Sequence, residues 1–152
     1  MKRLMILLGA LSFLVSCNEE ERTSYDHPFV YIASESGASK AVVGSNVNNI
    51  NTYSVYLSSK PLAENVEVFY EIVVGNGLKQ GVDFELVTKG ASLVFLPGIY
   101  DMPIRIRWKA NRVDESKDNT ITIRLLGNSL DLTLGLPGPD GLQKELIIEK
   151  KN

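Results

Sequence analysis

Few side chains in this sequence are of the types that usually carry catalysis. Among its 152 residues there is one cysteine, Cys17, and one histidine, His27. Histidine is the usual general base near neutral pH, but His27 stands beside Pro28 in a polar stretch that offers nothing to hold it against a nucleophile. Asp83 and Glu85 are candidates for carboxylate-based glycoside hydrolysis, although any two residues two apart on a strand share a face about 6.5–7 Å apart. We therefore predict a protein that is not an enzyme and needs no cofactor, with glycoside hydrolysis as a minor alternative.

Cys17 ends a segment that has the features of a secretory signal peptide. Lys2 and Arg3 precede an apolar or small stretch over residues 4–15, which is too short to cross a ~30 Å hydrocarbon core comfortably. The run Leu-Val-Ser-Cys at 14–17 resembles the lipobox of bacterial lipoproteins, in which the cysteine is acylated and becomes the mature N-terminus. The resemblance implies a signal peptide over residues 1–16 and a lipid anchor on Cys17 that holds the protein at the outer membrane. Several acyl chains would make that attachment effectively permanent.

An acidic run follows the cysteine directly, at Glu19, Glu20 and Glu21. A run of like charges beside a membrane is usually a solvated tether. This one also resembles the surface-export signal of Bacteroidota lipoproteins, which implies display on the cell exterior, with a periplasm-facing form as the alternative. We predict that residues 17–28 form an acylated, acidic linker and that residues 29–152 form one domain.

Length and charge limit the functional classes. Removal of residues 1–16 from the 152 would leave 136 residues, enough for one domain that folds without a metal or a disulfide. The removed segment has two basic and no acidic side chains, so the net charge would change from −2 to −4. Nucleic acid as a partner is disfavoured, because its binding requires a basic stripe. With Cys17 acylated, no thiol remains for catalysis, redox chemistry or a cysteine-based zinc site.

Apolar and polar residues alternate along most of the chain after residue 28. Over residues 104–109, two isoleucines and a tryptophan alternate with Arg105, Arg107 and Lys109. Alternation gives a strand one buried and one solvated face, which is typical of antiparallel sheets. With turn residues between the segments, it predicts an antiparallel β-sandwich of about seven or eight strands. The alternating segments are 52–58, 66–73, 104–109 and 120–125, with weaker candidates at 29–34, 40–44, 84–89, 92–96 and 145–150.

The same alternation separates core from surface. Trp108, Tyr53 and Tyr70 fall in the buried phase, and Arg124 is expected opposite the outward glutamates of the segment 66–73. The outward basic row could dock an acidic partner or an anionic glycan. The candidate binding surface comprises Tyr56, Tyr100, Arg105, Arg107 and Lys109.

The middle of the chain resembles the Calx-beta domain, an immunoglobulin-like sandwich. The matching segments are 53–61, 66–74, the Gly-Val-Asp-Phe run at 81–84, the Leu-Val-Phe-Leu-Pro-Gly run at 93–98, the alternating strand at 104–108, the acid-bearing turn at 113–118 and the segment 120–125. Their order and spacing follow the family pattern over about residues 30–126. The resemblance implies an all-β fold consisting of a single immunoglobulin-like, Calx-beta-like sandwich.

Some Calx-beta domains bind calcium, and the resemblance assigns Asp83 to that site. The aspartate run of the family is replaced here by residues 109–112, which include Lys109 and Arg112. Calcium needs six to eight oxygen ligands and is opposed by nearby positive charge, so we predict no metal. A calcium-dependent adhesion module is the alternative, with Asp83, Asp114, Glu115 and Asp118 as weak candidate ligands.

The C-terminal part also carries a resemblance. The Gly- and Pro-rich run at 134–141 and the segment 142–150 are similar to small accessory lipoproteins of Bacteroidota glycan-utilisation systems. The resemblances together predict a non-enzymatic binding or scaffolding module that is accessory to glycan capture or uptake. Its partner would be a glycan or a neighbouring outer-membrane uptake protein.

Overall fold

The computed structural model describes residues 27–152. The predicted signal peptide, Cys17 and the acidic run at Glu19, Glu20 and Glu21 lie outside the described residues. In residues 27–152 all regular structure is β, and no helix capable of crossing a membrane is found there. The strands are β1 (Phe29–Ala33), β2 (Lys40–Gly44), β3 (Asn49–Ser58), β4 (Val66–Val74), β5 (Phe84–Leu86), β6 (Ser92–Phe95), β7 (Asp101–Trp108), β8 (Thr120–Asn128), β9 (Thr133–Leu134) and β10 (Glu145–Lys151).

These strands form two sheets of five strands each, packed as a sandwich. The first sheet has the order β5-β7-β3-β1-β9, and the second has the order β2-β10-β8-β4-β6. The prediction of an all-β, immunoglobulin-like sandwich is confirmed, but the described residues contain ten strands rather than seven or eight. The two-residue strand β9 accounts for part of the difference, because it is too short to show any alternation.

Pairing departs from the purely antiparallel prediction at two places. Strand β9 runs parallel to β1, and β2 runs parallel to β10. Both β9 and β2 are edge strands that arrive at their neighbours from the opposite side of the sandwich, so their direction follows from the path of the chain. All other strand pairs are antiparallel.

The inward phase of each strand fills the space between the sheets. Trp108, predicted to be a core residue, has none of its surface exposed, and its indole Nε1 donates a hydrogen bond to the hydroxyl of Tyr53 at 3.2 Å. Tyr53 and Tyr70 are buried as predicted. Burial raises the pKa of Tyr53 to about 12, because an apolar surrounding disfavours the phenolate.

Outward residues of the second sheet form the expected charge ladder. Arg124 on β8 lies between Glu71 on β4 and Glu145 on β10, which are its partners in register. Its guanidinium contacts the two carboxylates at 2.8 and 3.0 Å, and these two hydrogen bonds raise its pKa. Such cross-strand pairs fix the register of three adjacent strands.

Candidate ligand-binding face

The outer face of the first sheet collects most of the predicted binding residues. On β3, Tyr53, Val55 and Leu57 point inward and are buried, so Tyr56 points outward. On β7, the buried Ile104, Ile106 and Trp108 leave Arg105 and Arg107 exposed on the outer face. Because β3 and β7 are adjacent, these outward residues share one surface. Tyr31 on β1 extends that surface to the other side of β3.

A stacked pair of tyrosines lies at one end of this face. Tyr31 and Tyr56 are direct partners in the antiparallel register of β1 and β3. Their ring centroids are 5.0 Å apart with an interplanar angle of 21°, and Phe29 adds a third ring 5.7 Å from Tyr31. Burial, and then the neighbouring phenol of Tyr56, raise the pKa of Tyr31. Two register-fixed rings of this kind offer an apolar surface that also carries two hydroxyl groups.

An open groove of about 370 Å³ adjoins the tyrosine pair. It is walled by both rings, by the turn after β1 and by the loop between β9 and β10. That loop is fastened to β1, since the carbonyl of Gln143 accepts a hydrogen bond from the Ile32 amide at 2.9 Å and its side-chain amide donates to the carbonyl of Gly37 at 2.6 Å. The groove therefore combines apolar rings with polar groups from Ser34, Glu35 and Gln143, a mixture suited to ligands that carry both apolar faces and hydroxyls.

The basic row lies at the opposite end of the same face. Glu85 on β5 forms salt bridges with Lys109 at 2.6 Å and with Arg107 at 3.5 Å. The hydrogen bond from Lys109 is the main cause of the lowered pKa of Glu85, and Arg107 adds to it. Arg105 is exposed, and within residues 27–152 its side chain forms no ion pair. Two of the three predicted cations thus share one carboxylate, and Arg105 does not contact it.

Tyr100 does not belong to this outer face. It precedes β7 in the inward phase and lies at the rim of the sandwich, where 37% of its surface is exposed. Its carbonyl accepts a hydrogen bond from the amide of Leu57 at 2.8 Å. The predicted binding set is therefore divided between one face, which carries Tyr56 and the basic row, and the rim, which carries Tyr100.

A buried ion pair occupies one end of the sandwich. The ammonium of Lys150 on β10 contacts Oδ1 of Asp83 at 3.3 Å, and both residues are almost fully buried, at 1% and 4% exposure. The same ammonium donates to the carbonyls of Lys109 at 2.9 Å and of Asp83 at 3.4 Å. Its three donors thus have three acceptors, as a buried ammonium requires.

The carboxylate of Asp83 is surrounded by donors. Oδ1 also accepts a hydrogen bond from the side-chain amide of Asn111 at 2.8 Å, and Oδ2 accepts one from the amide of Lys79 at 2.8 Å. Burial alone would raise the pKa of this carboxyl, but the hydrogen bonds from Asn111, Lys79 and Lys150 together lower it. A general acid for glycoside hydrolysis needs the opposite shift. The arrangement does not suit that role.

The residues around Asp83 also do not fit the calcium ion of the Calx-beta resemblance. Lys150 holds a positive charge at the carboxylate, and within residues 27–152 no group of three or more His, Cys, Asp or Glu side chains is arranged to hold a metal. The other weak candidates make local contacts instead. Asp114 accepts from the hydroxyl of Ser116, Asp118 accepts from the hydroxyl of Thr120, and Glu115 accepts from the side-chain amide of Asn152.

Other grooves among the described residues are larger, and each includes paired charges in its walls. One, of about 470 Å³, includes Arg124 and Glu145, which contact each other at 3.0 Å. Another, of about 760 Å³, includes Arg107 and Lys109, which both contact Glu85. A third, of about 430 Å³, includes Glu149 and Lys151, which contact each other at 3.1 Å. None of these three is bordered by a stacked aromatic pair, so we take the tyrosine groove and its face as the candidate site.

Two residues of these sites were missed in the sequence. Lys150 ends a candidate strand, and the signal for its burial is that it falls in the inward phase with Leu146 and Ile148. Tyr31 alternates with the buried Val30 and Ile32 and so was identifiable as an outward aromatic residue. Its pairing with Tyr56 depends on the register of β1 and β3, which a single sequence does not give.

Comparison with known proteins supports the fold. No family model matches the chain, and no curated protein is significantly similar to it. Among solved structures, the chain is similar to the crystal structure of CBD12 from CALX1.2, with a TM-score of 0.57 and 22% identity. The match covers 80% of this chain and 43% of the other, so the chain spans less than half the length of that structure. The protein thus has a Calx-beta-like fold.

Proposed function

We propose that this protein is a lipid-anchored, non-enzymatic module that binds a glycan on the outer face of its first sheet. The observation that carries the proposal is the stacked pair of Tyr31 and Tyr56 beside a polar groove. Sugar rings have apolar faces formed by C–H groups and edges formed by hydroxyls, so they complement an aromatic platform bordered by hydrogen-bonding groups. The Calx-beta-like sandwich is compatible with binding through an exposed sheet face or loops.

The anchor is proposed from the sequence. The lipobox-like run ending at Cys17 supports acylation and attachment to the outer membrane, and the acidic run at 19–21 supports display on the cell exterior. A module held there would capture glycan for a neighbouring uptake protein. We expect Cys17→Ala to abolish incorporation of a palmitate analogue and to release the protein from the membrane fraction. Protease treatment of intact cells should degrade the wild type, and replacement of the three glutamates by alanine should protect it.

Glycan binding is tested with an array of neutral and acidic polysaccharides. We expect Tyr56→Ala and Tyr31→Ala to weaken binding by about ten-fold or more, because stacking of one aromatic ring contributes on the order of 1 kcal/mol or somewhat more. Phe69→Ala is the matched control, since Phe69 is an aromatic residue with 40% of its surface exposed on the outer face of the second sheet. Binding that survives both tyrosine substitutions, or that is lost equally in the control, would refute the proposed site.

The calcium-dependent alternative predicts a different result. A Calx-beta-type adhesion module would bind calcium at Asp83 and its neighbours, where Lys150 now lies. Isothermal titration calorimetry of the purified protein with calcium should detect no binding of micromolar affinity. Saturable binding at that affinity would favour the adhesion module over the glycan module.

A further inference from the structure

We infer that the glycan bound by this face is acidic and lies in extended form along β3 and β7, with a carboxylate or sulfate group on Arg105. This inference rests on the proposed function and names its substrate class. Arg105 is the cation of the basic row that has no ion pair within the described residues, whereas Arg107 and Lys109 share Glu85. A guanidinium in this position is available to form a charge-assisted hydrogen bond with a ligand.

The register fixes the path between the tyrosine pair and Arg105. Tyr56 lies opposite Asp101, whereas Arg105 lies opposite Thr52, four residues further along β3. Four residues of a strand span about 13 Å, the length of a short oligosaccharide. The outward residues between the two ends are small: Ser54 on β3 faces Pro103 on β7, and both are half-buried. A chain of sugar rings can therefore lie flat on the sheet from the aromatic pair to the guanidinium.

Charge is distributed unevenly along this path. Glu35 borders the groove beside the tyrosines, and Asp101 lies opposite Tyr56. These carboxylates disfavour an anionic group at the aromatic end, so the sugar unit stacked there is expected to present its apolar face. The anionic group belongs at the other end, where Arg105 stands. The face thus selects a glycan whose acidic group is displaced from the stacked unit by about 13 Å along the strand.

The same geometry disfavours an acidic peptide as the occupant. Extended peptides gain much of their affinity by adding a strand to a free sheet edge. The path runs over β1, β3 and β7, and β3 is paired on both sides within the sheet. Its backbone groups are therefore engaged in ladder hydrogen bonds. A ligand on this face can instead stack on the tyrosine rings and form hydrogen bonds with the hydroxyls of Ser54 and Thr52. A polysaccharide can form both kinds of contact.

The experiment compares two forms of one polysaccharide backbone. The full domain is titrated with polygalacturonate, alginate and chondroitin sulfate at low salt, and with the same polymers after their carboxylates have been methyl-esterified and any sulfates removed. We expect at least one acidic polymer to bind about ten-fold more tightly than its neutral form, with a preference that weakens as salt is added. Arg105→Gln should abolish the preference, and Arg112→Gln should retain it. Arg112 is the matched control because it is exposed and lies outside the strands of this face.

Each outcome is informative. Tyr56→Ala should weaken binding of both the acidic and the neutral form, which separates stacking from charge recognition. If glycans bind through the tyrosines without an acidic preference, or if Arg105→Gln keeps the preference, the inference fails while the proposed function stands. If polyglutamate binds as tightly as the acidic polysaccharides, the occupant is an acidic peptide and the inference is overturned. If no polysaccharide binds at all, the inference and the proposed function fail together.

Discussion

The ammonium of Lys150 lies 3.3 Å from the carboxylate of Asp83, and neither side chain is accessible to solvent beyond a few per cent. The contact joins the last strand, β10, to the segment just before β5, so it connects the two sheets at one end of the sandwich. A buried pair of this kind contributes little net stability compared with apolar residues, but the loss of one partner is costly because the other charge is left buried.

Removal of the lysine charge should destabilise the domain strongly. Lys150→Met leaves the Asp83 carboxylate with only the donors of Asn111 and Lys79, and we expect a loss of about 3–5 kcal/mol in the free energy of unfolding. Urea unfolding measures the loss. Lys151→Met is the neighbouring control: Lys151 pairs with Glu149 at the surface, so its loss should cost no more than about 1 kcal/mol.

The double variant tests whether the two charges act as a pair. When Asp83→Asn is combined with Lys150→Met, no buried charge remains, and the total loss should be smaller than the sum of the single losses by more than about 1 kcal/mol. Additive losses in this cycle would mean that the two side chains act independently.

Acid should lower the folding stability of the wild-type domain, because the carboxylate of Asp83 becomes protonated. The pKa of Asp83 in the folded state is lower than the ordinary value of 3.8. The ionised carboxylate therefore contributes to the free energy of unfolding above the unfolded-state pKa, and this contribution is lost as the pH falls through the folded-state pKa. The urea midpoint of the wild type should therefore fall steeply below about pH 4. The double variant lacks this group and should lose less stability over the same range. Glu85 titrates in both proteins, so its effect cancels in the comparison. Parallel curves between pH 5 and pH 3 would contradict the assignment.

The sequence predicted which faces are buried far better than which residues meet. Alternation identified the inward phase that includes Trp108 and the outward phase that includes Arg105, because side-chain direction on a strand depends only on position. It did not give the register that pairs Tyr31 with Tyr56, or the parallel entry of β2 and β9, because these depend on the path of distant segments. The alternation along β10 places Lys150 on the buried side of the strand, but its partner, Asp83, was identifiable only from the three-dimensional fold.

Removal of the Tyr53 hydroxyl should destabilise the core around Trp108. Tyr53→Phe leaves the indole N–H of Trp108 buried without its acceptor, which should cost about 1–3 kcal/mol. Because Trp108 is the only tryptophan, its fluorescence should change in the folded variant and serves as the probe of unfolding. Tyr56→Phe is the matched control, since Tyr56 lies on the outer face, and it should alter stability by no more than about 0.5 kcal/mol. Equal effects in the two variants would argue against the Trp108–Tyr53 hydrogen bond as the cause.

A side chain at Gly75 should destabilise the domain, because the turn after β4 packs closely on the segment before β8. A Cβ atom at this position would lie 2.3 Å from the carbonyl oxygen of Asp118 and 2.5 Å from its Cγ. The amide of Gly75 also donates to the carbonyl of Thr120 at 2.8 Å, so the turn cannot move away without breaking that bond. We expect Gly75→Ala to lower the free energy of unfolding by about 1–3 kcal/mol. Gly127→Ala is the control in β8, where an added Cβ meets nothing within 4 Å; urea unfolding should show it to be neutral or slightly stabilising, and equal losses in the two variants would show that crowding against Asp118 is not the cause.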